Sequence, residues 1–295
     1  MNVPLLNASG CLDALAAPDV ARTLDAFVSK TITPLPREGN PPVRIVETAH
    51  GMLNSIGLQG PGIEAFVERV LPALRGLGVP VWVSVGGFSA PDFAYVCERL
   101  DGQDDVATIE LNLSCPNVEE APETAAQLVA AARRVTGKPL YAKLSPAQWD
   151  IGAAARAVVA AGADGISLVN TIRGLALDPH TSRPVLARAV GGYSGPALKP
   201  IALAATYAAA SAVDVPLVGM GGVTTATDVL DFVAVGASSV ALGTILFSDP
   251  GAAARVRAEV SALSSSRGWP NPDDLGLGRV VDGEKTLQTD EKLAG

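Results

Sequence analysis

The feature that most constrains this chain is its rhythm: short β-rich apolar runs alternate with Ala-rich runs of helical length from end to end. Strand-type runs fall at 3–6, 27–33, 80–85, 106–114, 139–145, 165–170, 215–220 and 239–244. Helical runs fall at 18–25, 61–75, 90–100, 122–136, 149–161, 197–211, 225–234 and 250–263. Eight strands, each followed by a helix, is the count of a (β/α)8 barrel, and 295 residues is close to the usual length. A doubly wound open sheet also alternates, but with fewer strands and one glycine-rich fingerprint near its start. The sequence therefore predicts an α/β protein, a single (β/α)8 TIM barrel over residues 1–263, with a polar Pro- and Gly-rich tail over 264–295 to which no structure is assigned.

Alternation within the strands supports the barrel. Ala107, Ile109, Leu111 and Leu113 share one face of the fourth strand, opposite Thr108, Glu110 and Asn112. In the fifth, Leu140, Ala142 and Leu144 oppose Tyr141, Lys143 and Ser145. An apolar face under helices and a partly polar face turned inward suit a barrel strand near its active end. Long Pro- and Gly-rich connections at 33–60 and 171–196 interrupt the rhythm after strands two and six, and loops this long are usually functional. Together with the loop after strand four, they are the expected active-site loops.

Composition narrows the partners. A net charge of -8 with no basic block argues against nucleic acid, because phosphate neutralisation needs clustered Lys and Arg. No run approaches the ~18 apolar residues of a membrane span. The opening MNVPLLNASG has neither a basic region nor a long apolar one, so a cytoplasmic location is expected. Cys11, Cys97 and Cys115 are scattered and odd in number, which suggests free thiols in a reducing compartment and no metal site.

The unusual residues gather at the C-terminal ends of strands, where barrel enzymes keep their chemistry. Asn7 to Gly10 follow strand one, Lys30 lies in strand two, and Asn112 to Asn117 close strand four. Lys143 ends strand five, and Asn170 and Thr171 end strand six. Gly219 to Gly222 follow strand seven, and Gly243 and Thr244 follow strand eight. Glycine turns after the last two strands suit a phosphate, with Val223 to Asp228 opening a helix whose positive end faces the anion. Two of only six lysines, Lys30 and Lys143, sit in otherwise apolar strands and could stabilise negative charge on a reduced cofactor or an anionic substrate. Asn54, Asn112, Asn117 and Asn170 offer amides that both donate and accept, which suits ring carbonyl and N–H groups. A lone Cys is ordinarily an inert buried thiol; beside two lysines, Cys115 could act as an acid or base.

NASG (7–10), SKTIT with PREGNPPVR (29–33, 36–44), GMLNSIGLQGPG (51–62), ELNLSCPN (110–117), YAKLSP (141–146), GADGISLVNT (162–171), GGYSGPALKP (191–200), GMGG (219–222) and ALGT (241–244) resemble class 1 dihydroorotate dehydrogenases. The resemblance is collinear from about residue 3 to 250, and PREGNP and SGPALKP are most similar to the 1B subgroup. It implies FMN across the barrel mouth, its phosphate on Gly221, Gly222, Gly243 and Thr244. Ser9, Lys30, Thr31, Ser84, Asn112, Lys143, Val169 and Gly195 would touch the rest of the flavin, with Lys143 stabilising the reduced ring. Dihydroorotate or orotate would be held by Lys30, Asn54, Ser55, Ile56, Gly57, Leu58, Asn112, Asn117, Asn170 and Thr171. Cys115 would take the C5 proton as hydride leaves C6 for flavin N5.

The 1B likeness further implies an electron-transfer subunit with FAD and a 2Fe–2S cluster; three thiols here supply no cluster ligand set of four. A homodimeric core is the default for such an enzyme. One departure stands out. After Asn117 the chain runs from Val118 through Glu123 directly into a helix, several residues short of the glycine-rich segment usual in the family. Oxidation of another dihydropyrimidine, a non-redox phosphosugar lyase or isomerase, and a catalytically weak flavin-binding protein therefore stay open as alternatives.

Overall fold

In the computed structural model, which describes residues 1–113, 124–269 and 271, all eight expected strands form. In chain order the strands are β1 (Leu5–Asn7), β2 (Phe27–Val28), β3 (Ile45–Thr48), β4 (Gly51–Asn54), β5 (Val81–Val85) and β6 (Val106–Asn112). They continue as β7 (Leu140–Leu144), β8 (Gly165–Leu168), β9 (Ile172–Leu175), β10 (Val190–Ser194), β11 (Leu217–Met220) and β12 (Ser239–Leu242). Eight are parallel neighbours in the order β1-β12-β11-β8-β7-β6-β5-β2. The barrel closes between β1 and β2 through an Leu6↔Ala26 bridge. There the buried Asn7 carboxamide imitates a ladder rung: its Oδ1 accepts from Val28 N at 2.8 Å and its Nδ2 donates to Val28 O at 2.7 Å. Asn7 is thus a structural residue of the seam.

The expected faces hold except at Ala107, which is exposed where the β5–β6 register shifts. Ile109, Leu111, Leu140, Ala142 and Ile166 are fully buried in the layer under the helices. Complete burial of one large aliphatic side chain contributes about 1.5–3 kcal/mol. The inward face is a separate small cluster of Leu6, Val28, Val218, Met220 and Ala241, packed by Trp82 and Tyr141. Local chemistry sets the helix starts. Thr124 and Gln127 form a capping box for Ala125–Arg133, and the Asp150 side chain accepts from Ala153 N at 2.8 Å at the start of Ile151–Ala160.

Three expectations need correction. Strand two is only Phe27–Val28, with an isolated Ile32↔Val85 bridge beyond it, so Lys30 lies just past the strand. The two long connections are not structureless: β3, β4, β10 and β9 pair in that order as an antiparallel sheet beside the barrel mouth. Finally, the last helix runs Ala252–Arg267, past the expected end at residue 263. Ser264 is buried there and accepts the Met1 ammonium at 3.1 Å, which ties the helix to the first strand's approach.

Candidate active site

The barrel mouth and the antiparallel sheet enclose a cavity of about 980 Å³. Of the residues expected from sequence, Ser9, Lys30, Thr31, Asn112, Lys143, Val169, Asn170, Thr171 and Gly195 line it. So do the loop Asn54, Ser55, Ile56, Gly57 and Leu58, and the corner Gly221, Gly222, Gly243 and Thr244. Ser84 does not: it is fully buried behind Thr31, 3.0 Å from that hydroxyl. The two expectations on Cys115 and Asn117 lie outside the described residues.

At the corner below β11 and β12, glycine is required by geometry. Gly222 has φ +76°, and a Cβ there would meet Gly195 O and Lys199 N at 2.9 Å. A Cβ on Gly243 would touch Ala8 at 3.5 Å and the Cys11 sulfur at 3.8 Å, both ordinary contacts, so nothing in the chain itself demands glycine at that position. Its small size leaves room on the cavity side. The N–H groups of Gly222 and Thr244 find no acceptor among the described residues. This is a cradle of the kind a phosphate fills.

The next helix, Ala226–Ala234, opens beside this corner with a Thr225–Asp228 capping box. Just ahead of it, Thr224 N and the N-cap Thr225 N both donate to Asp228 Oδ2 at 2.8 Å. Lys199 in turn donates to Asp228 Oδ1 at 2.5 Å and to Asp231 at 2.7 Å. Burial alone would raise the Asp228 carboxyl, but the Lys199 ammonium and the Thr224 and Thr225 donors outweigh it and bring it to about 2. The segment before the helix is therefore a clasp that shapes the Gly221–Gly222 turn beside the glycine corner.

Across the floor runs a chain of polar contacts. Ser9 Oγ donates to Ser29 O at 2.9 Å and lies 3.3 Å from Thr31 Oγ1. Asn112 Nδ2 donates to that same Thr31 hydroxyl at 3.1 Å, Asn170 Nδ2 donates to Asn112 Oδ1 at 2.9 Å, and Thr171 N donates to Asn170 Oδ1 at 2.8 Å. Each amide is turned by its neighbour, so the ring-binding groups are oriented before any ligand arrives.

The remaining wall was not legible from sequence. Asn40 Nδ2 donates to Ser55 O at 2.9 Å and to Ser55 Oγ at 3.0 Å, Arg37 Nε donates to Gly57 O at 3.3 Å, and Arg44 Nη2 donates to Gln59 Oε1 at 2.8 Å. These ties hold Leu58 at φ +55°, a strained value for a side-chain-bearing residue and one found where a loop is fixed for function. With Arg173 and Arg188 also lining it, the cavity is electropositive although the chain is acidic overall. Burial, then the neighbouring Arg44, lowers the Lys30 pKa. An anionic carboxylate beside Lys30 would compensate both effects.

Cys11 also lines the cavity and was given no role from sequence. Burial pushes its thiol up to about 11, against a smaller opposing pull from Lys143. It stays protonated near neutral pH and is a poor base.

Comparison with known proteins comes to the same chemistry. Residues 1–263 match the dihydroorotate dehydrogenase family. A Geobacillus kaustophilus protein named dihydroorotate dehydrogenase B (NAD(+)), catalytic subunit, is 41% identical over 95% of this chain and 90% of its own length. One of the same name from Pelobacter propionicus is 44% identical over 85% of each. The solved dihydroorotate dehydrogenase of Eimeria tenella, in complex with ferulenol, superposes with a TM-score of 0.75 at 22% identity, covering 92% of this chain and 84% of that one. That last likeness is one of fold.

Proposed function

Because this chain belongs to the dihydroorotate dehydrogenase family, we propose that its cavity binds FMN and dihydroorotate and that it oxidises dihydroorotate to orotate in pyrimidine synthesis, as a class 1B catalytic subunit. The observation that carries this reading is the pairing, in one cavity, of a glycine cradle at the β11 and β12 ends with a pre-oriented row of amides and Lys143. The cradle residues Gly221, Gly222, Gly243 and Thr244 would hold the phosphate, and Lys143 would face the flavin ring. FMN, when bound, supplies the acceptor for the hydride leaving C6.

The chain's own part is positioning and proton removal. Lys30 meets the substrate carboxylate, and Asn54, Asn112 and Asn170 fix the ring N–H and carbonyl groups. Ser55, Ile56, Gly57 and Leu58 close over one side, with Thr171 opposite. Cys115 takes the proton from C5, a role its resemblance to the family implies and one that Cys11, held protonated, cannot share. Asn117 is assigned to the same pocket. A phosphosugar offers no ring N–H and carbonyl groups for this row of amides to read.

The relatives' names describe a catalytic subunit, so a second subunit is expected to complete the enzyme. We assign it FAD and a 2Fe–2S cluster that pass electrons to NAD, with two copies of this chain at the core and the assembly in the cytoplasm. Among the described residues, no helix is long and apolar enough to cross a membrane. The test is a steady-state assay of the purified chain with dihydroorotate and an artificial electron acceptor. Formation of orotate supports the reading; no orotate from a flavin-loaded protein refutes it.

A further inference from the structure

Beneath the cavity, Lys143 is paired with a buried carboxylate, Glu110, that does not line the site. The register pairs Asn112 with Lys143 and Glu110 with Tyr141, so Glu110 lies one layer deeper in the barrel than the amide row. Its Oε2 accepts the Ser167 hydroxyl at 2.9 Å, while its Oε1 lies 3.6 Å from Lys143 Nζ and makes no hydrogen bond. The two side chains are 2% and 6% exposed, so water does little to screen either charge. Around them is the small apolar cluster of the barrel interior, with the Trp82 and Tyr141 rings 4.6 Å apart. A carboxylate costs a great deal to bury in such a place unless its charge is matched.

Lys143 is the match, and it also lines the cavity above. Its ammonium is therefore shared between a carboxylate below and an occupant above. The separation of 3.6 Å and the absent hydrogen bond at Oε1 leave the ammonium free to lean upward. Ser167 fixes the other oxygen and so keeps Oε1 aimed at Lys143.

We propose that Glu110, oriented by Ser167, is a positioning residue for Lys143. It holds the ammonium under the cavity and offsets part of its charge, which sets how strongly the site favours negative charge on the flavin ring. This rests on the flavin reading above. On this view the full positive charge of Lys143 would overstabilise the reduced, anionic ring, and Glu110 moderates it.

The test uses the FMN-loaded full chain and sulfite, a probe whose addition to oxidised flavin leaves negative charge on the ring and bleaches its absorbance. Glu110→Gln removes the offsetting charge at nearly constant volume, and should keep FMN while binding sulfite about tenfold more tightly. Ser167→Ala, which keeps the carboxylate but frees it, should shift sulfite affinity in the same direction by less. Lys143→Gln should weaken sulfite binding, and Glu110→Gln added to it should produce no further tightening. A merely structural role for Glu110 would loosen FMN and would not tighten sulfite. Unchanged or weaker sulfite binding by Glu110→Gln with FMN in place overturns the proposal, as does equal tightening with and without Lys143. If Glu110→Gln or Lys143→Gln loses its flavin, Ser167→Ala decides alone: wild-type sulfite affinity overturns the proposal. A wild-type chain that takes up no FMN refutes the flavin reading instead, and the two failures are told apart by colour.

Discussion

The glycine corner and the wall opposite it meet in one cavity but are made differently. At the corner, Gly221 and Gly222 follow β11 directly, Gly243 and Thr244 follow β12, and each pair is placed by the strand before it. The opposite wall joins distant segments: Asn54 on β4 donates to Gly192 O on β10, 138 residues away, at 3.4 Å. The corner is rigid because the barrel is rigid. The wall depends on side-chain ties through Asn40, Arg37 and Arg44, which can be cut one at a time. Binding of the phosphate should therefore be all-or-none, and recognition of the substrate graded.

The sharpest break is expected where neither region can compensate. Cys115→Ala should keep its flavin and lose turnover by about 10²–10⁴-fold, the usual worth of a positioned general base. Stopped-flow reduction by dihydroorotate measures this directly. Next is Gly222→Ala at the corner. A Cβ at φ +76°, 2.9 Å from two backbone atoms, adds strain of about 1–3 kcal/mol, so FMN affinity should fall tenfold or more in equilibrium titration.

Changes on the floor and behind the corner should be gentler. Thr31→Val removes the hydroxyl between Ser9 and Asn112 and should raise KM several-fold, with FMN still bound. Asp228→Asn weakens the clasp by about 1 kcal/mol, visible in thermal melts. The sign of its pH effect follows from a folded pKa of about 2 against an ordinary 3.8. The contribution is present above pH 3.8, is lost as pH falls toward 2, and should be smaller in the Asn variant. Cys11→Ala should change turnover least of all, because that thiol is protonated at working pH.

The same contrast explains what could be read from sequence. The eight strands were legible because each is a short β-rich run, alternating where one face is polar, and the corner was legible because its glycines abut strand ends. The antiparallel sheet was not. Its Thr48↔Gly51 hairpin turns on Ala49 and His50 in place of a glycine-bearing pair, and its central pairing joins residues 138 apart. The arginines of the cavity were missed for a related reason: Arg44 and Arg173 come to line one cavity only once that sheet forms. Ser84, placed at the flavin by resemblance alone, is fully buried behind Thr31 and does not reach the cavity. Glu110 was assigned to the inward face, yet only the register shows it beneath Lys143.

The most direct measurement is anaerobic addition of dihydroorotate to the FMN-loaded protein while its visible spectrum is recorded. Loss of the flavin band, with one orotate formed per flavin bleached, is the predicted result. A flavin band that persists with bound substrate would contradict the assignment of this cavity to dihydroorotate oxidation.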